Sequence, residues 1–327
     1  MSGSPPEPRP HRPRLHSSRR PRTALLAALA AALLPLLPGP VAAEPAPGEG
    51  AQGLRRHLVA HYDFAHPVPG DPSRERDLGR SGTDIALVNG GSRMRVHDRE
   101  RGPVLQTRQN TPGARGNDDW KAGVYGADGL PALRALNGAR GATVMGWFRT
   151  TGDNPAPNSN SADPGDRYGA IGLAGVLSGT SQGHDVRALL ELIEVDGVMR
   201  VVALGRRLDG GLSQTFAADA DWRQVLPPGR WVHLAATFDY DSGTMALHRD
   251  GRALSGSYVR TGDPWEIAGP PEPDTASATD PRGIKIGGSY PQNTREGNPC
   301  ACRMDELMFL DRALTAGEIR AQYRRTR

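Results

Sequence analysis

The most constraining feature of the sequence is the alternation of apolar and polar side chains in residues 231–251. Every second residue from Val232 to Phe238 is apolar, and Met245 with Leu247 continues the apolar row after a turn at Asp241-Ser242-Gly243. This period of two predicts consecutive antiparallel strands with one buried face. A second turn at Asp250-Gly251 extends the pattern to a β-meander.

Other segments carry the same signal. Residues 188–195 and 198–204 flank Asp196-Gly197, which predicts a tight hairpin. Residues 142–150 are apolar on both faces, as is typical of a central strand. Residues 57–64 are predicted to form the first strand. We also expect short strands at 84–88 and 94–96 around the Asn89-Gly90-Gly91 turn, and strands at 283–287 and 303–310 that close the sheet.

The N-terminus differs in composition from the rest. Six arginines precede an apolar run from Ala24 to Leu37, and Val41-Ala42-Ala43 supplies the small residues of a cleavage site. This order predicts a signal peptide over residues 1–43 and export to the extracellular space. The alternative is a membrane anchor, but the run would rise only about 21 Å as a helix, whereas the hydrocarbon core is roughly 30 Å thick.

Removal of the leader changes the charge. Taking six arginines and one glutamate from 40 basic and 36 acidic residues leaves 34 and 35, so the predicted mature chain is nearly neutral. No basic excess remains to indicate a nucleic-acid partner or an anionic membrane surface. Only Lys121 and Lys285 are lysines, a bias that we attribute to genome composition.

The remaining 284 residues suffice for one large β-sandwich or barrel. Residues 44–56 form a polar linker rich in proline and glycine, and residues 57–327 form the predicted domain. One helical turn is expected at 130–136. A terminal helix is expected from the capping box of Thr315 and Glu318.

Cys300 and Cys302 are the two cysteines of the chain. Residues i and i+2 of a strand lie about 6.6 Å apart, at the upper limit for a disulfide. Pro299 just before them could bend the chain and close the bond. A disulfide and free or intermolecular thiols remain as alternatives.

Four segments in order resemble the laminin G-like jelly-roll family of the concanavalin A-like lectin/glucanase fold. They are Tyr62-Asp63-Phe64, residues 143–149 (TVMGWFR), residues 231–251 (WVHLAATFDYDSGTMALHRDG) and residues 304–323 (MDELMFLDRALTAGEIRAQY). The resemblance implies an all-β fold, an antiparallel two-sheet jelly-roll sandwich with a short C-terminal helix. It further implies that binding is carried by the concave face of a sheet or by loops at its rim.

The resemblance also implies a structural Ca²⁺ between the first strand region and an acid on the last strand, at Asp63 and Asp305. The alternative is that Asp63 caps a turn and that Asp305 pairs with Arg303 or Arg312. No calcium-loop motif supports the metal independently.

Aromatic residues in turn-rich segments could stack on sugar rings, because loops on a rigid scaffold often carry binding. They are Trp120, Tyr125, Trp222, Trp265 and Tyr290. The alternative is that these rings pack loops onto the sandwich. Trp147 and Trp231 lie in predicted strands, and His233 with His248 is expected on an exposed sheet face.

No catalytic residues are predicted. The glucanase branch of this fold has an active-site motif similar to E-x-D-x-x-E. The nearest match in this sequence is Glu191, Glu194 and Asp196, but Met199 stands where the second glutamate would be. We therefore expect a secreted, non-catalytic module that binds a carbohydrate or a cell-surface polymer. The alternatives are a protein-interaction or adhesion module and a divergent glycoside hydrolase or lyase.

Overall fold

The structure of the chain is a computed structural model. It describes residues 53–110, 119–151, 170–178, 186–206, 213–259, 279–288 and 300–327. All of these residues belong to one compact unit that spans residues 45–327. The described elements are mostly strands in two antiparallel sheets, as the sequence predicts.

Sheet I runs in the order β15-β14-β13-β8-β18-β6-β5, and β1 pairs with the other half of β18. Its strands are β1 (Leu58–Tyr62), β5 (Arg95–Asp98), β6 (Gly102–Thr107), β8 (Gly141–Thr150), β13 (Val232–Asp239), β14 (Thr244–Arg249), β15 (Arg252–Ala253) and β18 (Cys302–Leu310). The predicted meander is the β13–β14–β15 edge of this sheet. Phe238 and Leu247 point from it into the core.

Sheet II runs in the order β16-β12-β11-β10-β9-β17-β7-β4-β3-β2. Its strands are β2 (Pro67–Val68), β3 (Asp71–Glu75), β4 (Ile85–Val88), β7 (Lys121–Tyr125), β9 (Ala170–Leu177), β10 (Val186–Val195), β11 (Val198–Arg206), β12 (Ser213–Ala218), β16 (Gly256–Tyr258) and β17 (Gly283–Ile286). The Asp196-Gly197 hairpin joins β10 to β11, with both turn residues at positive φ as a two-residue turn of this type requires.

One predicted strand pairing was wrong. The Asn89-Gly90-Gly91 turn does not close a hairpin, because β4 belongs to sheet II and β5 to sheet I. A 3₁₀ turn at Gly91–Met94 carries the chain across, and Met94 is buried beneath it. The two closing strands, β17 and β18, lie in different sheets. Short alternating runs show which residues face inward but not which layer they join.

The helices are short. The predicted turn near residue 130 is a 3₁₀ turn at Pro131–Leu133 followed by α1 (Arg134–Gly138), and α2 (Trp222–Val225) precedes β13. The C-terminal helix α3 (Ala316–Thr326) begins at the predicted capping box of Thr315 and Glu318. Among the described residues, no helix has an apolar stretch long enough to cross a bilayer.

Helix α3 covers the outer face of sheet I. Ile319 packs with Met145, Ala235 and Met308 in an apolar cluster that is separate from the core between the sheets. The indole of Trp147 lies edge-to-face against His233 and donates a hydrogen bond from Nε1 to Thr326 Oγ1 over 2.9 Å.

The prediction that His233 and His248 are exposed was therefore wrong. They are only 2% and 4% exposed. Burial lowers the pKa of His233 to about 3 and also lowers the pKa of His248. Strand alternation gave the correct face for both residues, but it could not reveal that α3, which begins more than 60 residues later in the sequence, packs on that face.

Candidate functional site

The outer face of sheet II gathers the lysines of the chain. On β7, Ala122 points into the core, so Lys121 and Tyr125 point outward; on β17, Ile284 and Ile286 point inward and Lys285 outward. The strands β7 and β17 are adjacent, with Gly123 opposite Lys285. Lys121 is thus a diagonal neighbour of Lys285, at a typical separation of about 7–8 Å.

Glu191 adds a carboxylate to the same face. Its neighbours Leu190 and Leu192 on β10 lie in the core between the sheets, so Glu191 points outward. Strand β9 separates β10 from β17, with Gly175 opposite both Lys285 and Leu189. The two lysines and the glutamate therefore share one outward face, which we call the lysine face.

Glycines lie opposite Lys285 on both neighbouring strands, so no side chains flank it directly on the lysine face. Its partners on both neighbouring strands, Gly123 and Gly175, have no side chains. A Cβ at Gly175 would lie 2.5 Å from Leu189 Cδ1 and 2.9 Å from the carbonyl oxygen of Ala188. The position thus accepts only glycine without a shift of the neighbouring strand.

The charged groups of the lysine face are buried. Lys121, Lys285 and Glu191 are 1%, 2% and 4% exposed. Burial lowers the pKa of Lys121 to about 8, against the opposing effect of the nearby Asp119 carboxylate. Buried charged side chains are uncommon in proteins and are held in fixed positions by their surroundings, so this face differs from an ordinary solvated sheet surface.

Of the five predicted aromatic residues, Tyr125 lies on the lysine face. It is half-buried against a small apolar cluster of Leu177, Val186 and Leu189. Its position on β7 puts it on the same side of the sheet as Lys121.

The other aromatic residues have different surroundings. Trp120 is half-buried against the core, and the guanidinium of Arg108 lies 3.8 Å from its ring centroid. Trp222 is 4% exposed within the core, as the packing alternative describes. Trp265 and Tyr290 lie outside the described residues.

The two acids predicted to bind calcium have protein partners. Asp63 accepts hydrogen bonds from the backbone N–H of Ala65 and contacts Nδ1 of His66, as in a capped turn. Asp305 accepts a 2.6 Å bond from Arg101 Nε, a partner other than the predicted Arg303 or Arg312. Burial, only partly offset by Arg101, raises the pKa of Asp305 to about 6.

The described residues contain no group of three or more metal-ligating side chains. The Ca²⁺ site at Asp63 and Asp305 stays a prediction. Because strand side chains alternate, Glu191 and Glu194 lie on opposite faces of β10, and Glu194 is exposed. Asp196, at a φ of 51°, belongs to the hairpin turn.

The cysteines lie at the start of β18. Cys300 and Cys302 are fully buried with their sulfurs adjacent, and their Cα atoms are 5.1 Å apart. This separation is within the range of disulfides, so the predicted bond is geometrically compatible with the backbone here. The redox state remains a prediction.

Comparison with known proteins assigns the family. Residues 130–320 match a laminin G family model described as Concanavalin A-like lectin/glucanases superfamily. This match covers more than half of the chain, and the protein belongs to that family. No curated protein sequence matches the chain.

Solved structures that are similar to this chain have low sequence identity to it. A mutant of HCR D/C VPI 5995 has a TM-score of 0.52 and 9% identity, covering 84% of this chain and 53% of its own. The binding domain of Paraclostridial Mosquitocidal Protein 1 has a TM-score of 0.49 and 13% identity, with 83% and 52% covered. The Trypanosoma rangeli sialidase bound to 2,3-difluorosialic acid has a TM-score of 0.46 and 16% identity, and the match covers 82% of this chain and 33% of the sialidase. This chain thus spans about half or less of the length of these structures.

Proposed function

We propose that this protein is an exported, non-catalytic module that binds a glycan or another cell-surface polymer through the lysine face. The observation that carries the proposal is the position of Lys121 and Lys285. They are the only lysines of the chain, and they lie on neighbouring strands with outward-pointing side chains. Export rests on the leader of residues 1–43, which has the order of charge, apolar run and small residues that secretion requires.

The chemistry of the lysine face suits a sugar. Hydroxyl groups are recognised by a few charged or polar side chains held in fixed positions on a rigid scaffold. Lys121, Lys285 and Glu191 are buried in the free protein, so a sugar would contact the half-buried ring of Tyr125 and be positioned by the charges beneath it. Membership of the lectin/glucanase superfamily agrees with this type of ligand but does not select it.

The direct test is glycan-array binding by the mature chain from residue 44 onward. We expect binding to a defined set of glycans and a loss of about tenfold or more in Lys285→Met, which keeps the aliphatic stem and removes the ammonium. Arg252→Met, at an exposed position on β15 of the other sheet, is the matched control and should bind like the wild type.

Three outcomes of this test are informative. The proposal is contradicted if the wild type binds no glycan, or if Lys285→Met and Lys121→Met both bind as tightly as the wild type. Repeating the array with calcium and with chelator tests the predicted metal site. Release of reducing sugar from a bound polysaccharide, abolished by Glu194→Gln, would favour the alternative of a glycoside hydrolase.

A further inference from the structure

A groove of about 840 Å³ opens between β1, the segment that follows Asp77, and the end of α3. It lies on the side of sheet I that carries α3, away from the lysine face. We call it the arginine groove. Its lining residues are Leu54, Arg55, Leu58, His61, Leu78, Gly79, Arg80, Glu306, Met308, Gln322, Arg325, Thr326 and Arg327.

The groove has an apolar floor. Leu54 and Met308 are buried at its base as part of the apolar cluster beneath α3. Leu78 is 37% exposed and is one of three large apolar side chains exposed among the described residues. An exposed leucine beside a buried apolar floor is a surface that gains from contact with an apolar side chain.

The rim of the groove is cationic. Arg55, Arg80, Arg325 and Arg327 are exposed. Within the described part of the chain, Arg55 and Arg327 take part in no ion pair, whereas Arg80 pairs with Asp311. The acid inside the groove, Glu306, is hydrogen-bonded to His61 Nε2 over 2.9 Å, and a single carboxylate offsets the four arginines only in part.

The backbone around the groove is fixed before any ligand arrives. The N–H groups of Leu78 and Arg80 donate to carbonyl oxygens of β1 over 2.9 and 3.1 Å. Asp77 accepts hydrogen bonds from the N–H of Gly79 and of His61 over 2.7 and 2.8 Å. A rigid wall reduces the conformational entropy lost on binding.

A bulge in β18 directs Glu306 into this groove. The pairing of β18 shifts between Asp305 and Met308, and Glu306 takes a positive φ of 52°. Bulges often reorient a side chain, and non-glycine residues in this conformation occur preferentially at functional sites.

We propose that the arginine groove is a docking site for a protein segment in which apolar side chains alternate with carboxylates. The carboxylates would pair with Arg55 and Arg325, and a leucine-like side chain would cover Leu78 and Met308. A sugar is a poorer occupant because the described lining residues include no Trp, Tyr or Phe and few neutral polar groups. Such a site would let one domain contact a protein and a glycan on opposite sides.

The test uses fluorescence anisotropy of the mature chain with a labelled peptide of alternating glutamate and leucine. Peptides with lysine in place of glutamate, and with serine in place of leucine, serve as ligand controls. We expect measurable affinity for the first peptide only. The double variant Arg55→Glu/Arg325→Glu should weaken binding by about tenfold or more, because like charges would then face each other.

A neighbouring residue gives the matched variant. Arg324 is exposed on the same helix but does not line the groove. Arg324→Glu changes the net charge as much as Arg325→Glu alone, and it should leave the affinity within about twofold. Leu78→Ser should also weaken binding. Circular dichroism of each variant confirms that the fold is intact.

The proposal is overturned if no peptide binds or if the lysine peptide binds as well as the acidic one. It is also overturned if Arg324→Glu weakens binding as much as the double variant. If the serine peptide or heparin binds as tightly as the glutamate–leucine peptide, the groove attracts any polyanion without the apolar contact that the proposal requires, and the proposal is likewise overturned.

Discussion

The outer faces of the two sheets bury basic side chains in different ways. On sheet I, His233 lies against Tyr323 of α3, His248 is buried on the same face, and burial favours the neutral form of both. On sheet II, Lys121 and Lys285 are equally buried but start from a much higher pKa, so burial brings Lys121 only to about 8. The histidine surface is therefore an uncharged packing interface, whereas Lys121 on the lysine face keeps a pKa above 7 despite its burial.

The largest expected effect tests the packing interface on sheet I. Trp147 contacts His233 and Tyr323, and the guanidinium of Arg101 lies 4.3 Å from its ring centroid. We expect Trp147→Ala to lower the free energy of unfolding by about 3–5 kcal/mol, measured by urea denaturation. A loss below about 1 kcal/mol would show that α3 does not depend on this ring.

The pH dependence of stability tests the neutral histidine. The folded-state pKa of His233, about 3, is below the unfolded value of about 6.5, so the unfolded state gains a proton first on acidification. The wild type therefore loses stability as the pH falls below about 6.5. Relative to the wild type, His233→Gln should gain about 3 kcal/mol between pH 7 and pH 4.

Comparing His233→Gln with the wild type cancels a competing effect of Asp305 on the pH dependence of stability. Its folded-state pKa is raised to about 6, which stabilises the folded state as the pH falls from 6 toward 4. The residue is common to both chains, so its contribution cancels to first order. A constant difference across this pH range would mean that His233 is not sealed from water.

The corresponding test on sheet II uses Lys121. Its folded-state pKa of about 8 is below the unfolded value of about 10.5, so wild-type stability rises as the pH increases from 8 to 10.5. Lys121→Met should be more stable than the wild type by about 2 kcal/mol at pH 7, and this advantage should shrink at high pH. A destabilised Lys121→Met at pH 7 would instead show that the ammonium holds this face together.

The smallest effect concerns the cap of α3. The Thr315 side chain accepts a hydrogen bond from the N–H of Glu318. The Glu318 carboxylate accepts a hydrogen bond from the N–H of Thr315 and pairs with Arg312. Thr315→Ala should lower the free energy of unfolding by about 1 kcal/mol. If the helix mainly seals sheet I, glycan binding by the lysine face should not change. A parallel loss of binding would contradict the separation of the two faces.

Local patterns in the sequence determined much of this architecture. The alternation from Val232 to Phe238, the Asp196-Gly197 turn and the Thr315–Glu318 capping box each depend on residues a few positions apart. Such short-range preferences act on the backbone directly, and the structure contains all three features. The sequence also predicted the family, which the match over residues 130–320 confirms.

Only the tertiary structure decided which layer each strand joins and which outward faces are covered. Nothing local distinguishes the outward side chain of His233 from that of an exposed strand residue, because its cover comes from α3 much later in the chain. The same holds for Lys121 and Lys285, which are 164 positions apart in the sequence and become diagonal neighbours through the pairing of β7 with β17. Their rarity was visible in the sequence, but their shared site depends on long-range strand pairing, which no periodicity encodes.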